Sequence, residues 1–198
     1  MTETVYKSVL ISSHYLPLRE YLSLMMEADV IYVDENEVWQ KQTLRNRTYL
    51  LGANGVQSLS IPVEHTGGVK TAIKDIKISY HQAWTRVHKG AIFSAYNTSA
   101  FFNYFKDDLF AIYDEQPTHL LDFNQKLLQF LLKKLKFKGR LDVYANQEVD
   151  ADYRQLDSLK SVQEKNIVLE KYNQVFGYKF EFESYLSVLD VLANKGSF

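Results

Sequence analysis

The feature that most constrains this chain is a strand-like run, a helical run and a second strand-like run within its first 34 residues. Residues 8–12 form a short apolar stretch, and residues 30–33 are rich in β-branched side chains. Between them, apolar side chains recur at helical spacing over residues 18–28, and Pro17 suits the first turn of a helix. The pattern predicts a βαβ unit.

A βαβ unit also predicts where polar residues can act. Ligands of such units collect beyond the carboxyl ends of the strands. The loop of residues 12–17 and the pair Asp34-Glu35 each follow a predicted strand. We therefore expect both to lie on one rim, which is the first candidate site.

The next segments predict a hairpin. Residues 42–51 and 57–63 flank Gly52-Ala53-Asn54-Gly55, and an Asn-Gly pair between extended segments is typical of a hairpin turn. We also expect a strand over residues 73–78, after the loop that contains His65. Together with the βαβ unit, the hairpin predicts a mixed sheet.

The second half of the chain reads as mainly helical. We predict a helix with Trp84 and His88 on one face, a helix capped by Thr98 or Ser99, and one opened by Asp122 or Asn124. Residues 140–159 are polar and carry no clear pattern. Residues 162–176 predict a helix, residues 178–183 a strand, and residues 186–193 a last helix before Gly196. The whole predicts one α/β domain over residues 1–198.

Composition excludes several classes of protein. The chain has no cysteine, so disulfides and thiolate sites are excluded. Its formal net charge of -1 gives no overall attraction to nucleic acid, and no apolar run is long enough to insert into a membrane. The first residues do not resemble a signal peptide, so we expect a cytoplasmic location. The oligomeric state is left open.

The strongest polar pattern lies between Lys41 and Arg47. If this segment is extended, Lys41, Arg45 and Arg47 share one face, because side chains alternate along a strand. Such a face suits a phosphate or carboxylate and predicts an anionic small-molecule substrate. The alternative is a solvated face whose cations pair with the acidic residues that precede it.

Three further residues are candidates for catalysis. His14, in the loop after the first strand, is placed to contact a phosphate or move a proton. Asp34, at the end of the second strand, suits a general base, a metal ligand or a turn cap. His88, four residues after Trp84, belongs either to a pocket or to buried packing.

Other catalytic templates are missing from the sequence. It contains no glycine-rich nucleotide loop, no P-loop, no Gly-x-Ser-x-Gly elbow and no His-Glu-x-x-His. The remaining histidines, at 65, 81 and 119, lack metal-ligand spacing. The sequence therefore predicts no metal site and identifies no cofactor.

In order and spacing, short motifs over most of the chain resemble the WbqC-like protein family. The motifs are Tyr15-Leu16-Pro17, Tyr21, Ala28-Asp29-Val30, Asp34, Lys41, Asn46-Arg47, Ser60-Ile61-Pro62-Val63, Trp84 and His88. The resemblance adds Tyr15, Tyr21, Asn46 and Trp84 to the candidate binding residues. Many relatives carry Gln-Pro ahead of the Tyr-Leu-Pro element, where this chain has Ser12-Ser13-His14.

The resemblance implies a transferase that modifies a sugar or nucleotide-linked substrate in surface polysaccharide synthesis. Two alternatives stay open. The first alternative is a nucleotide-binding enzyme that resembles nucleotidyltransferases. These enzymes carry a histidine at a position similar to that of His14, although their His-x-Gly-His motif is absent from this chain. A non-catalytic binding or assembly protein is the second.

Overall fold

The computed structural model describes residues 6–64 and 70–198, and the predicted loop of residues 65–68 lies outside them. The strands and α-helices, in chain order, are β1 (Ser8–Ile11), α1 (Arg19–Ser23), β2 (Val30–Val33), β3 (Arg47–Gly52), β4 (Gly55–Ser60), α2 (Trp84–Tyr96), α3 (Lys106–Asp114), α4 (Leu120–Lys134), β5 (Arg140–Val143), β6 (Ala151–Asp152), α5 (Leu159–Glu164) and α6 (Leu189–Lys195). Two short 3₁₀ helices lie at Ile73–Asp75 and Phe102–Tyr104. The predicted α/β class is confirmed.

A four-stranded parallel sheet organises the molecule, with strand order β5-β2-β1-β6. β1 and β2 pair in parallel from Ser8 opposite Val30 to Ile11 opposite Val33, which confirms the βαβ unit. The chain adds β2 and β5 on one side of β1 and then β6 on the other. The strand order therefore reverses at β1, and in open parallel sheets this reversal creates a crevice at the carboxyl ends.

The predicted hairpin is present as β3 and β4, paired from Arg47 opposite Ser60 to Gly52 opposite Gly55. Gly55 has φ of 103°, a conformation that residues other than glycine rarely adopt. The hairpin forms a two-stranded sheet of its own and does not extend the parallel sheet. β3 of the hairpin packs against α2.

One large hydrophobic cluster joins the two halves of the chain. It includes Ile11 and Ile31 of the parallel sheet together with apolar residues of α2, α3 and α4. Large aromatic rings such as Phe102 and Phe123 are fully buried within it. Ring burial of this kind dominates core energetics, so the helical half and the sheet share one core.

Two predicted helix starts are wrong. α3 begins after Phe105, and Ser99 instead donates its hydroxyl to the Tyr96 carbonyl at the end of α2. α4 begins at Leu120, before Asp122 and Asn124. The Leu120 amide donates to the Ile76 carbonyl, so a tertiary hydrogen bond sets the start of this helix.

The strand predicted over residues 73–78 is also wrong. Ile73–Asp75 is a 3₁₀ turn, and the residues after it make only isolated bridges, Val63 with Ile78 and Lys77 with His119. The apolar residues of the segment are buried all the same. Burial alone does not select a strand when no partner strand lies alongside.

The C-terminal region differs most from the predictions. Residues 140–159, which carry no clear sequence pattern, supply β5 and β6 of the parallel sheet. The helix predicted over residues 162–176 is limited to α5, and residues 178–183 form no strand. The last helix is confirmed as α6, and Gly196 ends it with φ of 75°.

Across the part of the chain that the structure describes, no helix is both long and apolar enough to span a membrane.

Candidate functional site

The carboxyl ends of the parallel strands carry a compact set of charged and polar side chains, which we call the edge cluster. It consists of Ser12, Asp34, Glu37, Arg45, Asp152, Arg154 and Asp157. β1 leads to Ser12, β2 leads to Asp34 and Glu37, and β6 leads to Arg154. The cluster therefore occupies the rim that the sequence predicts, at the point where the strand order reverses.

Arg45 is the buried centre of the edge cluster. Its guanidinium donates to Glu37 and to Asp157, with N–O distances of 2.8 Å to each, and is only 3% exposed. Burial lowers the pKa of Arg45, but the hydrogen bonds and charges of Glu37 and Asp157 outweigh burial and leave the pKa raised. Ser12 donates its hydroxyl to Glu37 at 2.8 Å. Arg45 thus holds the loop after β1 against the segment after β2.

Arg154 is the accessible cation of the edge cluster, with 36% of its side chain exposed. Its guanidinium donates to Asp34 at 2.6 Å and to Asp152 at 2.6 Å, and it lies 5.6 Å from the centre of the Tyr144 ring. The hydrogen bond to Asp152 is the main cause of the raised pKa of Arg154. The same contact lowers the pKa of Asp152.

The geometry of Arg154 matters because it follows β6, whereas Asp34 follows β2 and Tyr144 follows β5. In the strand order, β1 separates β6 from β2. The Arg154 side chain therefore reaches across the end of β1. An anionic group at this edge of the sheet would meet this guanidinium, and arginine binds phosphate and carboxylate in a bidentate manner.

His14 lies in the loop after β1 and is 4% exposed. Its ring stacks on Tyr21 with 4.1 Å between ring centres, and neither ring nitrogen has a hydrogen-bond partner among the described residues. Burial, and then the charge of Arg45, hold the pKa of His14 well below its ordinary value. The imidazole is therefore neutral. Burial likewise raises the pKa of Tyr21, whose hydroxyl accepts from the Ser12 amide.

The extended cationic face predicted between Lys41 and Arg47 is wrong. Residues 41–46 form turns, and Gln42 has φ of 60°, so side chains do not alternate there. Lys41 is exposed, Arg45 is buried and Arg47 donates to Ser60 on the hairpin. Asn46 donates to the Ile61 carbonyl and so joins the end of this segment to the residue that follows β4. Arg45 pairs with Glu37, as in the alternative interpretation, but as a buried pair.

Tyr15, Trp84 and His88 are brought together in a second place, inside the helical half. Tyr15 contacts His88 Nδ1 at 2.8 Å and the Tyr113 hydroxyl at 2.5 Å. Trp84 packs edge-on against His88, and both residues are buried. Burial lowers the pKa of His88 to about 4, against the opposing effect of a hydrogen bond with the Ser60 backbone. We call Tyr15, His88 and Tyr113 the interior network.

An open groove of about 520 Å³ runs along the start of α4, lined by Thr118, His119 and Gln125 among others. The Gln125 side chain donates to Glu35 at 2.8 Å, and Glu35 follows Asp34 after β2. The groove thus adjoins the rim from the helical side. No group of three His, Asp or Glu side chains within residues 6–64 and 70–198 is placed to hold a metal ion.

Sequence reasoning missed Arg154, Asp152 and Asp157. They lie in the polar stretch that carries no clear pattern. Arg154 and Asp157 have partners more than 100 residues away in the chain, Asp34 and Arg45, and Asp152 joins the cluster through Arg154. The short sequence Asp152-Tyr153-Arg154 is a local signal for a strand end, because an apolar residue that becomes buried, Tyr153, lies between two polar neighbours. That signal is too short to identify a strand alone.

Comparison with known proteins identifies one family. The model of the WbqC-like protein family matches residues 12–168, which include every residue of the edge cluster. The uncharacterized protein Rv1507c of Mycobacterium tuberculosis (strain ATCC 25618 / H37Rv) is 29% identical over 136 residues, 68% of this chain. The chain spans 58% of the length of that relative. No solved structure matches the chain significantly.

Proposed function

The chain belongs to the WbqC-like protein family, and from this premise we propose that it is a transferase whose phosphorylated or nucleotide-linked substrate binds at the edge cluster. One observation carries the proposal. Polar and charged side chains, Ser12 after β1 and charged residues after β2 and β6, converge where the strand order reverses at β1. Crevices of this kind are the usual ligand sites of open parallel sheets.

In this proposal Arg154 binds the anionic part of the substrate. Each of the two arginines is held by two carboxylates, but Arg154 is one-third exposed, whereas Arg45 is buried. Arg45 therefore positions the loop, and Lys41 and Arg47 stay outside the site. This replaces the cationic array inferred from the sequence by a single accessible guanidinium.

Asp34 is the proposed general base. Its Oδ2 accepts from Arg154 and its Oδ1 accepts from the Asn36 amide. A substrate phosphate that bound the Arg154 guanidinium would draw it away from Oδ2. Oδ2 would then be free to take a proton from the substrate group that receives the transferred moiety. General-base catalysis requires that group to lie within hydrogen-bond distance of Oδ2.

A sugar substrate, a role in surface polysaccharide synthesis and a cytoplasmic location are part of the same proposal. The resemblance to the family supports the polysaccharide role, and the groove beside Gln125 supports a sugar, because it offers hydroxyl, amide and imidazole groups next to the rim. Such groups form the hydrogen bonds that polar, uncharged ligands need.

A nucleotidyltransferase-like enzyme is the second candidate, favoured by the position of His14 in the loop after the first strand. The two candidates differ in their products. A nucleotidyltransferase releases pyrophosphate from a nucleoside triphosphate, whereas a transferase that uses a nucleotide-linked donor releases the nucleotide without pyrophosphate. Product analysis after incubation with each donor class separates them.

The binding experiment is a thermal-shift screen against nucleotides, nucleotide sugars and sugar phosphates. A ligand at about 100 times its Kd stabilises the native state by about 2.7 kcal/mol, so weak ligands also register. We expect a ligand-dependent rise in Tm that is lost in Arg154→Ala. Arg140→Ala is the matched control, because Arg140 also pairs with a carboxylate two residues away but lies at the other end of β5.

Two outcomes contradict the proposal. If Arg154→Ala keeps the full ligand-dependent shift, the anion binds elsewhere. If no compound shifts the Tm of the wild-type protein, a binding or assembly role becomes the better account. In a protein that binds, Asp34→Asn should retain the shift and lose product formation, which assigns Asp34 to the chemical step.

A further inference from the structure

The loop between β1 and α1 contains polar atoms that the fold leaves without partners. Both ring nitrogens of His14 and the hydroxyl of Ser13 are buried and make no hydrogen bond within the described residues. Buried polar groups in native proteins almost always have partners, and each exception calls for an explanation. In this loop the three unpartnered atoms belong to two neighbouring residues, which adjoin the edge cluster at Ser12.

The same loop contains an unfavourable backbone conformation. Leu16 is fully buried and has φ of 42°, in the left-handed region that costs a leucine free energy. The surrounding structure fixes it there, because Thr48 donates its hydroxyl to the Leu16 carbonyl and the Tyr15 amide donates to Leu44. Conformations of this kind persist where the fold holds them in place and are concentrated at functional sites.

A small cavity lies against the His14 ring. Its volume is about 10 Å³, and its walls include Tyr21, Leu22, Met25 and Leu128. That volume is about what one water molecule or one hydroxyl group occupies. A phosphate group is several times larger, so the cavity does not suit the anionic part of a substrate.

The electrostatics of His14 favour the same kind of group. Its imidazole is neutral, with one donor nitrogen and one acceptor nitrogen. A hydroxyl group also has both a donor and an acceptor, and therefore complements a neutral imidazole. A fully ionised phosphate ester is an acceptor alone and would leave the acceptor nitrogen of His14 without a partner.

We propose that His14 forms a subsite that binds one uncharged hydroxyl group of the substrate, in the cavity beside Met25. The assignment of this hydroxyl to the substrate rests on the proposed function. The cavity and its unpartnered atoms do not. His14 is thus a substrate-binding residue, whereas His88 belongs to the interior network.

The probe for the subsite is methanol, which carries a single hydroxyl group. The full chain is labelled with ¹³C at its methionine methyl groups, and methanol is added in steps while the methyl resonances are recorded by NMR. Met25 lines the cavity and Met26 does not, so the sequence contains its own control. We expect the Met25 resonance to shift toward a plateau and the Met26 resonance to move little.

His14→Phe is the decisive variant. Phenylalanine keeps a ring that can stack on Tyr21 and removes both unpartnered nitrogens, so we expect a Tm equal to or above that of the wild-type protein. We expect the saturable Met25 shift to disappear. An unchanged Met25 shift in His14→Phe, or no saturable shift in the wild-type protein, overturns the subsite.

Inorganic phosphate separates this inference from the proposed function. We expect phosphate to leave the Met25 resonance unchanged, and a saturable phosphate-dependent shift of Met25 would contradict a hydroxyl subsite. The proposed function depends instead on Arg154 and phosphorylated ligands. If the methanol-dependent Met25 shift is not observed, the proposed function is unaffected. If the Arg154-dependent thermal shift is not observed, the cavity beside His14 is unaffected.

Discussion

Two histidines of this protein are equally buried, and their surroundings are opposite. His14 and His88 are each 4% exposed. His88 is bonded to Tyr15 and to the Ser60 backbone, inside a network of aromatic rings. His14 makes no hydrogen bond within the described residues and lies beside a cavity at the carboxyl edge of the sheet. Burial alone therefore does not distinguish the two histidines, whereas hydrogen-bond satisfaction does.

The comparison extends to the regions around the two residues. The interior network joins the loop after β1 to α2 and α3 through Tyr15, His88 and Tyr113, and its groups are satisfied by one another. The edge cluster is built from charged pairs, and one of its cations, Arg154, stays accessible. The first arrangement stabilises a fold. The second leaves groups available to a ligand.

The largest expected effect is in the interior network. His88→Ala removes a buried ring and takes away one of the two hydrogen-bond partners of the Tyr15 hydroxyl, so we expect a loss of about 3 kcal/mol in the free energy of unfolding. Denaturant unfolding measures the loss. Lys89→Ala, next in sequence, is the control, because Lys89 forms an exposed pair with Asp114 and should change the free energy by less than about 0.5 kcal/mol. Equal effects of the two substitutions would contradict a structural role for His88.

The pH dependence of stability is expected to sharpen the contrast. Burial depresses the pKa of His14 in the native state, so at pH values below 6.5 the unfolded chain takes up a proton that native His14 does not. Stability is therefore lost as pH falls through this range, by up to about 1.4 kcal/mol per pH unit. His14→Phe lacks this contribution. We expect its free energy of unfolding, relative to the wild-type protein, to increase as pH falls below 6.5 and to stay constant above it.

Denaturant unfolding of both proteins at a series of pH values gives this difference directly. Contributions from other groups, such as the raised pKa of Asp190, are common to both proteins and cancel. A difference that does not change with pH would mean that native His14 is protonated as readily as in the unfolded chain.

A smaller effect is expected from Tyr113→Phe, which removes one hydroxyl from the interior network. The Tyr113 and Tyr15 hydroxyls are 2.5 Å apart and buried, so we expect a loss of about 1 kcal/mol. Tyr104→Phe is the matched control, because Tyr104 is 79% exposed. If Tyr113→Phe is as neutral as Tyr104→Phe, the network contributes packing and no hydrogen bonding.

The sequence predicts those parts of the fold that local pattern determines. β1 and β2 are apolar runs of strand length, and the hairpin has its glycine at the position that requires a positive φ. β5 and β6 are different, because they are short and partly exposed, and only pairing with β2 and β1 makes them strands. Their formation depends on contacts between residues that are distant in the chain.

The candidate site divides in the same way. Asp34 and the loop of residues 12–17 could be placed on one rim from the βαβ pattern alone. The role of Arg154 could not, because it depends on β6 lying beside β1. The array of Lys41, Arg45 and Arg47 failed because alternation requires an extended chain, whereas this segment turns at Gln42.

The most direct test of the central claim, that substrate binds at the carboxyl edge of the parallel sheet, is chemical-shift mapping of backbone amides by NMR. The added ligand is the compound that stabilises the protein most in the thermal-shift screen. We predict that the largest saturable shifts lie in the residues that follow β1, β2 and β6, among them Ser12, Asp34 and Arg154. Shifts confined to the interior network, or to the groove along α4 alone, would contradict the account.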